Sequence, residues 1–137
     1  MSQENVEIVR RVYDAAGRRD DDATWLALYD PEVDWDVSHS PARDLLGRRV
    51  YHGHEGLRSF FRDWHEAWEE VTPELEEVID AGEHAISVET TRGRGRTSGA
   101  EVALPHYAVW TIRDGKVVRV VWFATRDEAL EAAGLRE

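Results

Sequence analysis

The sequence predicts an α+β domain, with helices gathered in the first half and an antiparallel sheet in the second. Three observations carry this. Apolar residues recur at helical spacing through most of the first seventy positions, and from Thr72 the period changes to two. The chain has 137 residues, which by length is one domain. It is 42% hydrophobic and 9% aromatic, enough to fill a core that buries about two thirds of the unfolded surface. No linker, low-complexity tract or internal repeat divides it, so the domain is expected to span residues 1–137.

Val6, Val9, Tyr13 and Ala16 make the stripe of a first helix, widened by Ile8 and Val12. Ser2 is placed to cap it, Glu4 and Glu7 suit its N-terminal dipole, and Gly17 ends or frays it. Asp20, Asp21 and Asp22 open a short second helix through Trp25, Leu28 and Tyr29, stopped by Pro31 because Asp30 is pushed out of the α region. Val33, Trp35 and Val37 alternate with Asp34, Asp36 and Ser38, which predicts a half-buried strand. His39 to Gly53 reads as a loop. A third helix is predicted from about His54 to Glu70, with Leu57, Phe60, Phe61, Trp64 and Trp68 inward and Arg58, Arg62, Asp63, His65, Glu66 and Glu69 wet.

Four strands follow, at Leu75–Asp80, His84–Thr91, Val102–Ile112 and Lys116–Phe123. Ala81-Gly82, the stretch Gly93–Gly99 and Asp114-Gly115 are the turns, the last suited to a type I′ hairpin. Thr125-Arg126-Asp127-Glu128 reads as a capping box before a short helix that ends at Gly134. In the last strand only Arg119 interrupts an apolar run from Val117 to Phe123. A strand apolar on both faces is covered on both. The helices cover one, so a homodimer formed through the sheet is expected.

Composition excludes several function classes. The chain has no cysteine, which removes disulfide scaffolds, thiol catalysis and thiolate metal sites. The net charge of −11 argues against phosphate neutralisation, so no nucleic-acid partner is expected. The N-terminal stretch does not read as a signal peptide, and no apolar run approaches a membrane span. A cytoplasmic protein without membrane association is the expectation. Every basic residue except Lys116 is arginine, a coding bias of GC-rich bacterial genomes.

The order of elements and four stretches resemble a known family. These are Val6-Glu7-Ile8-Val9-Arg10-Arg11-Val12-Tyr13, Tyr29-Asp30-Pro31-Glu32-Val33-Asp34-Trp35, Tyr51-His52-Gly53-His54-Glu55-Gly56-Leu57 and Trp110-Thr111-Ile112-Arg113-Asp114-Gly115-Lys116-Val117-Val118. From Val6 to Gly134 the chain resembles the nuclear transport factor 2-like superfamily, in its SnoaL-like branch. The resemblance implies a cystatin-like architecture: a curved antiparallel sheet wrapped into a cone, packed against three N-terminal helices, with an apolar pocket at the open end. Members include ketosteroid isomerase, scytalone dehydratase, limonene epoxide hydrolase and polyketide cyclases, and others only bind ligands or proteins. Such a fold does not name a reaction.

The chemistry is therefore read residue by residue. Tyr13 falls where ketosteroid isomerases carry a hydrogen-bond-donating tyrosine, one part of a site with an Asp base and a protonated Asp. The base is absent: its position matches Val37, or Asp36 with a slip of one. Parity turns Asp34 and Asp36 to solvent. The second aspartate is absent too, the matching stretch being His106-Tyr107-Ala108. No internal carboxylate is found on the last strands, as an epoxide hydrolase would need.

His106 alternates with Val102, Leu104, Ala108, Trp110 and Ile112, so it belongs to the face that lines the cone, and imidazole suits proton transfer near neutral pH. The alternative is a core histidine bonded to a backbone carbonyl or to Tyr13. His52 and His54 flank Gly53. Their spacing would let them hold a metal with His39 or Glu55, but a plain helix-entry loop is preferred to that, and also to a place for His52 at the pocket rim, which is kept as a candidate ligand-binding role; no metal or cofactor is expected. Trp35, Trp64, Trp110 and Trp122, with Phe61, are expected to line an aromatic pocket for an apolar small molecule; the alternative is that these rings fill the cone. Arg92, Arg94 and Arg96 could clamp an anion, against the plainer reading of a solvated hairpin tip. The expected function is small-molecule binding, with cofactor-free isomerisation, dehydration or cyclisation through His106 and Tyr13. A non-catalytic ligand-binding or protein-interaction module is the alternative.

Overall fold

The helical stripe of the first third forms α1 (Ser2–Arg18), which ends one residue past Gly17. The computed structural model describes residues 2–18 and 21–135; the cap expected of the Ser2 side chain and the part played by Asp20 lie outside the described residues. Asp21 caps α2 (Asp22–Leu26), accepting a bond from the Thr24 amide at 2.9 Å. This helix is shorter than its apolar spacing predicts. Tyr29 already belongs to β1 (Tyr29–His39). Pro31 does not stop a helix: it sits in that strand where the ladder is interrupted, between the pairs Tyr29–Val117 and Asp34–Arg119. An imino acid that cannot donate is tolerated there.

The predicted loop after β1 contains two elements. Pro41–Leu45 is a 3-10 turn capped by Ser40, and β2 (Val50–His52) pairs antiparallel with β1. Gly53, at φ 72°, then starts α3 (Gly53–Glu66), as expected of a tight helix entry. The helix ends short of the predicted Glu70. Trp68 instead opens β3 (Trp68–Ala81), where Pro73 and the β-branched Val71-Thr72 resist helix and the strand pairs back to Gly95.

Then come β4 (His84–Gly95), β5 (Glu101–Arg113) and β6 (Lys116–Phe123), joined by antiparallel hairpins. Asp114 and Gly115 both have positive φ, the signature of the predicted type I′ turn. The capping box of Thr125 and Glu128 starts α4 (Arg126–Ala132).

The six strands form one curved, unclosed sheet in the order β2-β1-β6-β5-β4-β3. It departs from the fully antiparallel expectation at one place, because β1 lies parallel to β6. Bulges in β1, β3 and β6 give the sheet its curvature. Helices α1 and α3 pack into its concave side. The main core there joins Val9, Leu26, Val33, Trp35, Val37, Leu57, Phe60, Trp110 and Val120. A second, smaller core lies on the convex side, where Ala129 and Leu130 of α4 pack on Ile86 and Val109. So the helices do not cover one face only, as the sequence reading held: α4 covers part of the other. No helix among the described residues is long and apolar enough to cross a membrane.

Candidate functional site

The concave side of the sheet is an aromatic box. Trp35 of β1 contacts Phe60 and Phe61 of α3, Trp110 of β5 and Trp122 of β6, with ring centroids 4.8–5.9 Å apart. Phe60 and Trp64 both meet Trp122. These rings fill the deep end, yet the cone is not closed by them. An open cavity of about 1400 Å³ remains between α1, α2, α3 and the sheet, and all six tryptophans contribute to its wall. Trp35, Trp64, Trp110, Trp122 and Phe61, named from sequence, all line it.

The wall carries one polar chain. The indole N–H of Trp110 donates to Ser87 Oγ at 2.8 Å. Ser87 and Tyr13 Oη are 3.1 Å apart, and the Tyr13 hydroxyl donates to Glu89 Oε1 at 2.6 Å. The other carboxyl oxygen accepts from Thr91 Oγ1 at 2.7 Å. Tyr13, Glu89, Thr91 and Trp110 line the cavity. Glu89 is 8% exposed. Burial raises its pKa above the ordinary carboxyl value, against the lowering effect of the Tyr13 and Thr91 bonds. Burial and the neighbouring Glu89 charge raise Tyr13 well above the phenol range. The carboxyl is therefore easier to protonate than an exposed one, and the phenol keeps the proton it donates to Glu89.

Glu89 escapes the sequence reading for a physical reason. In β4 the residues Ile86, Val88 and Thr90 alternate with Ser87, Glu89 and Thr91. Parity alone puts the aliphatic set inward. The structure inverts this: Ser87, Glu89 and Thr91 face the cavity side, and Ile86 packs under α4. The available signal was the aligned triplet Ser-x-Glu-x-Thr in a strand whose other face was also apolar.

His106 lies on the predicted face, opposite Glu89 in the β4–β5 register, but it is not on the cavity wall. It is 1% exposed, 4.3 Å from the Trp122 ring and 5.8 Å from Trp64. Neither ring nitrogen has a hydrogen-bond partner among the described residues, so it is bonded neither to a carbonyl nor to Tyr13. Desolvation lowers its pKa to about 4. A neutral, enclosed imidazole is poorly placed to meet a substrate.

His52, a candidate for the pocket rim, is on the outer edge of the sheet instead. Its Nδ1 is 2.7 Å from Asp34 and its Nε2 3.2 Å from Glu32, and these contacts raise its pKa. The cause is register: His52 pairs with Asp34, on the face opposite Trp35. His54 bonds the Tyr29 carbonyl at 2.9 Å and His39 stacks on Phe123. Among the described residues no group of three or more His, Asp or Glu side chains could hold a metal. Arg62 and His65, expected on the wet face of α3, border the cavity mouth. Arg92, Arg94 and Arg96 border it too.

A SnoaL-like domain model matches residues 9–120. No significant match is found among curated proteins. Among solved structures, a nuclear transport factor 2-like protein of unknown function from Burkholderia pseudomallei K96243 is 28% identical, with a TM-score of 0.74 over 96% of this chain and 97% of that one. TerC, co-crystallised with polyporic acid, is 21% identical, with a TM-score of 0.75 over 96% and 98%. A protein of ketosteroid isomerase-like fold from Catenulispora acidiphila DSM 44928, in complex with trimethylamine, is 15% identical, with a TM-score of 0.70 over 95% and 94%. With the curved sheet, the helices in its concave side and a family match over most of its length, the chain belongs to the SnoaL-like domain family, within the nuclear transport factor 2-like fold.

Proposed function

We propose that the protein binds a ring-shaped apolar molecule in the aromatic cavity and moves a proton on it through Glu89, in a cofactor-free isomerisation, dehydration or cyclisation. One observation carries this reading: a carboxyl 8% exposed, with a raised pKa, held in a tryptophan-lined wall by Tyr13 and Thr91. A buried carboxyl with a raised pKa is a better proton acceptor than an ordinary carboxylate, which suits general acid–base work. Tyr13 was expected to donate to a substrate oxygen, but its hydroxyl proton goes to Glu89, so in this reading it orients the carboxyl. The acid–base role passes from His106 to Glu89, since Glu89 is on the cavity wall and His106 is not. Two proteins of the same fold, TerC and the Catenulispora protein, are seen with small molecules, which fits a ligand-holding cone.

A binding-only reading has its own support: both Glu89 oxygens already accept hydrogen bonds within the wall. The two readings separate on an enolisable aryl ketone. With 2-tetralone in D₂O, the proton-transfer reading expects the wild type to exchange the α-proton. It expects Glu89→Gln to lose about 10²–10⁴-fold of that rate while still quenching tryptophan fluorescence with the ketone. Quenching without exchange in the wild type would leave a binding protein. Exchange that survives Glu89→Gln would remove Glu89 from the chemistry.

A further inference from the structure

The arginines at the cavity mouth are not equivalent. Arg92 is paired with Glu74 at 2.8 Å. Arg94 bridges Glu69 at 3.3 Å and Glu101 at 3.0 Å. Arg58 meets Asp22 and Glu55. Arg96 is held differently. Its Nε donates to the Glu66 carbonyl at 3.0 Å and its Nη2 to the Trp68 carbonyl at 2.8 Å. Among the described residues no carboxylate is placed against it. Two carbonyls fix the plane of the guanidinium without neutralising its charge, and its other N–H donors are unspent.

Arg62 is only loosely paired. Among the described residues its carboxylate partner is the neighbouring Asp63, 3.8 Å away, which also accepts the Tyr51 hydroxyl. Both arginines border the same cavity, in a chain whose net charge is −11.

The unmet polar capacity of the aromatic wall is also of donor type. The indole N–H groups of Trp35 and Trp68 are buried with no acceptor among the described residues. Trp68 is the residue whose carbonyl holds Arg96, and its ring meets Trp64 at 5.4 Å. So an oriented cation and an aromatic surface adjoin at one side of the mouth, since Trp68 gives its carbonyl to Arg96 and its ring to the wall. A ligand that answers both has flat rings and an anionic oxygen pair at one end.

We infer that the cavity takes an aromatic carboxylic acid, its rings among the tryptophans and its carboxylate on Arg96, with Arg62 as the second cation. The inference rests on the small-molecule reading above and names the ligand class. The carboxylate accepts in the plane of a guanidinium that is already oriented, so little side-chain entropy is lost on binding. The pairing of Arg92 and Arg94 with glutamates leaves those two as rim structure. Of the three arginines in the hairpin, Arg96 alone has charge to spare.

The test compares biphenyl-4-carboxylic acid with its methyl ester, followed by tryptophan quenching at pH 7. The acid is expected to bind the wild type at least about tenfold more tightly than the ester, and the preference should shrink as salt is raised. In Arg96→Gln the preference should collapse to within about threefold, with ester affinity unchanged; Arg96→Lys should restore part of it. Equal binding of acid and ester by the wild type overturns the inference and leaves the aromatic pocket standing. So does a preference that survives in the Arg62→Gln, Arg96→Gln double variant. Binding of neither compound removes the pocket reading itself, and the inference with it. Should Arg96→Gln not fold, the wild-type acid-to-ester ratio and its salt dependence still decide.

Discussion

Two buried titratable groups, Glu89 and His106, stand opposite each other on β4 and β5, and they pull stability in opposite directions with pH. His106 is neutral in the folded protein, with a pKa lowered to about 4 by burial. In the unfolded chain a histidine titrates near 6.5. As pH falls below about 6.5 the unfolded state takes up the proton first, so stability is lost, and the loss levels off near pH 4 where the folded ring also protonates. The size is about 3 kcal/mol for this group alone. Glu89 has the opposite sign: its raised folded pKa gives stability that is present below the ordinary carboxyl value and lost as pH rises through the folded one. His106→Leu should separate the two. Its ring nitrogens have no partner among the described residues, so an apolar replacement leaves no new polar group unsatisfied. In urea unfolding from pH 7 to pH 4, the variant is expected to gain about 2–3 kcal/mol relative to wild type, most of it below pH 6. Parallel pH profiles would mean that His106 is not held neutral.

At the scale of elements, one glycine sets the shape of the cavity mouth. A Cβ on Gly93 of β4 would lie 2.6 Å from the Glu70 carbonyl oxygen and 2.7 Å from the Trp68 ring. The ring is pressed onto the glycine backbone, and neither neighbour is the free end of a flexible chain. Gly93→Ala is therefore expected to cost about 1–3 kcal/mol and to alter the tryptophan emission as Trp68 is displaced. Gly17 is the contrast: nothing lies within 4 Å of its would-be Cβ, and it sits inside α1. Gly17→Ala should stabilise by about 0.5–1 kcal/mol. Thermal melts of the two variants check both signs. The pair also shows what sequence can carry. Helix α1, the Val33-Trp35-Val37 face of β1, the Asp114-Gly115 turn and the α4 capping box each follow from local chemistry, and all were legible. Trp68 was not, because its place in β3 depends on a glycine twenty-five positions away. Glu89 was not, because both faces of β4 are covered and alternation then carries no sign. In β6 a bulge between Val117 and Arg119 sends Val117 and Val120 into the same core, which explains part of an apolar run that looked two-faced.

The rest of that run bears on the whole molecule. Val121 and Phe123 point to the convex side, opposite Trp122. There α4 buries Ile86 and Val109 but leaves Tyr107 and Phe123 only partly covered. Beside them runs a groove of about 130 Å³, bordered by His39, His84, Thr111 and Arg119. We propose that a second copy of the chain covers this surface. The same convex patch would then serve both subunits about a two-fold axis. That places the interface away from the cavity, which opens on the concave side, so assembly and ligand binding should be separable. Light scattering behind size exclusion is expected to give a mass near 31 kDa, twice the 15.7 kDa chain. Phe123→Glu, which puts a charge on the convex patch, should halve that mass and leave biphenyl acid binding unchanged, because no concave residue is altered. A wild-type mass of 15.7 kDa at every concentration would mean that α4 alone is the cover this face requires. A dimer that persists in Phe123→Glu would place the interface on another surface of the sheet.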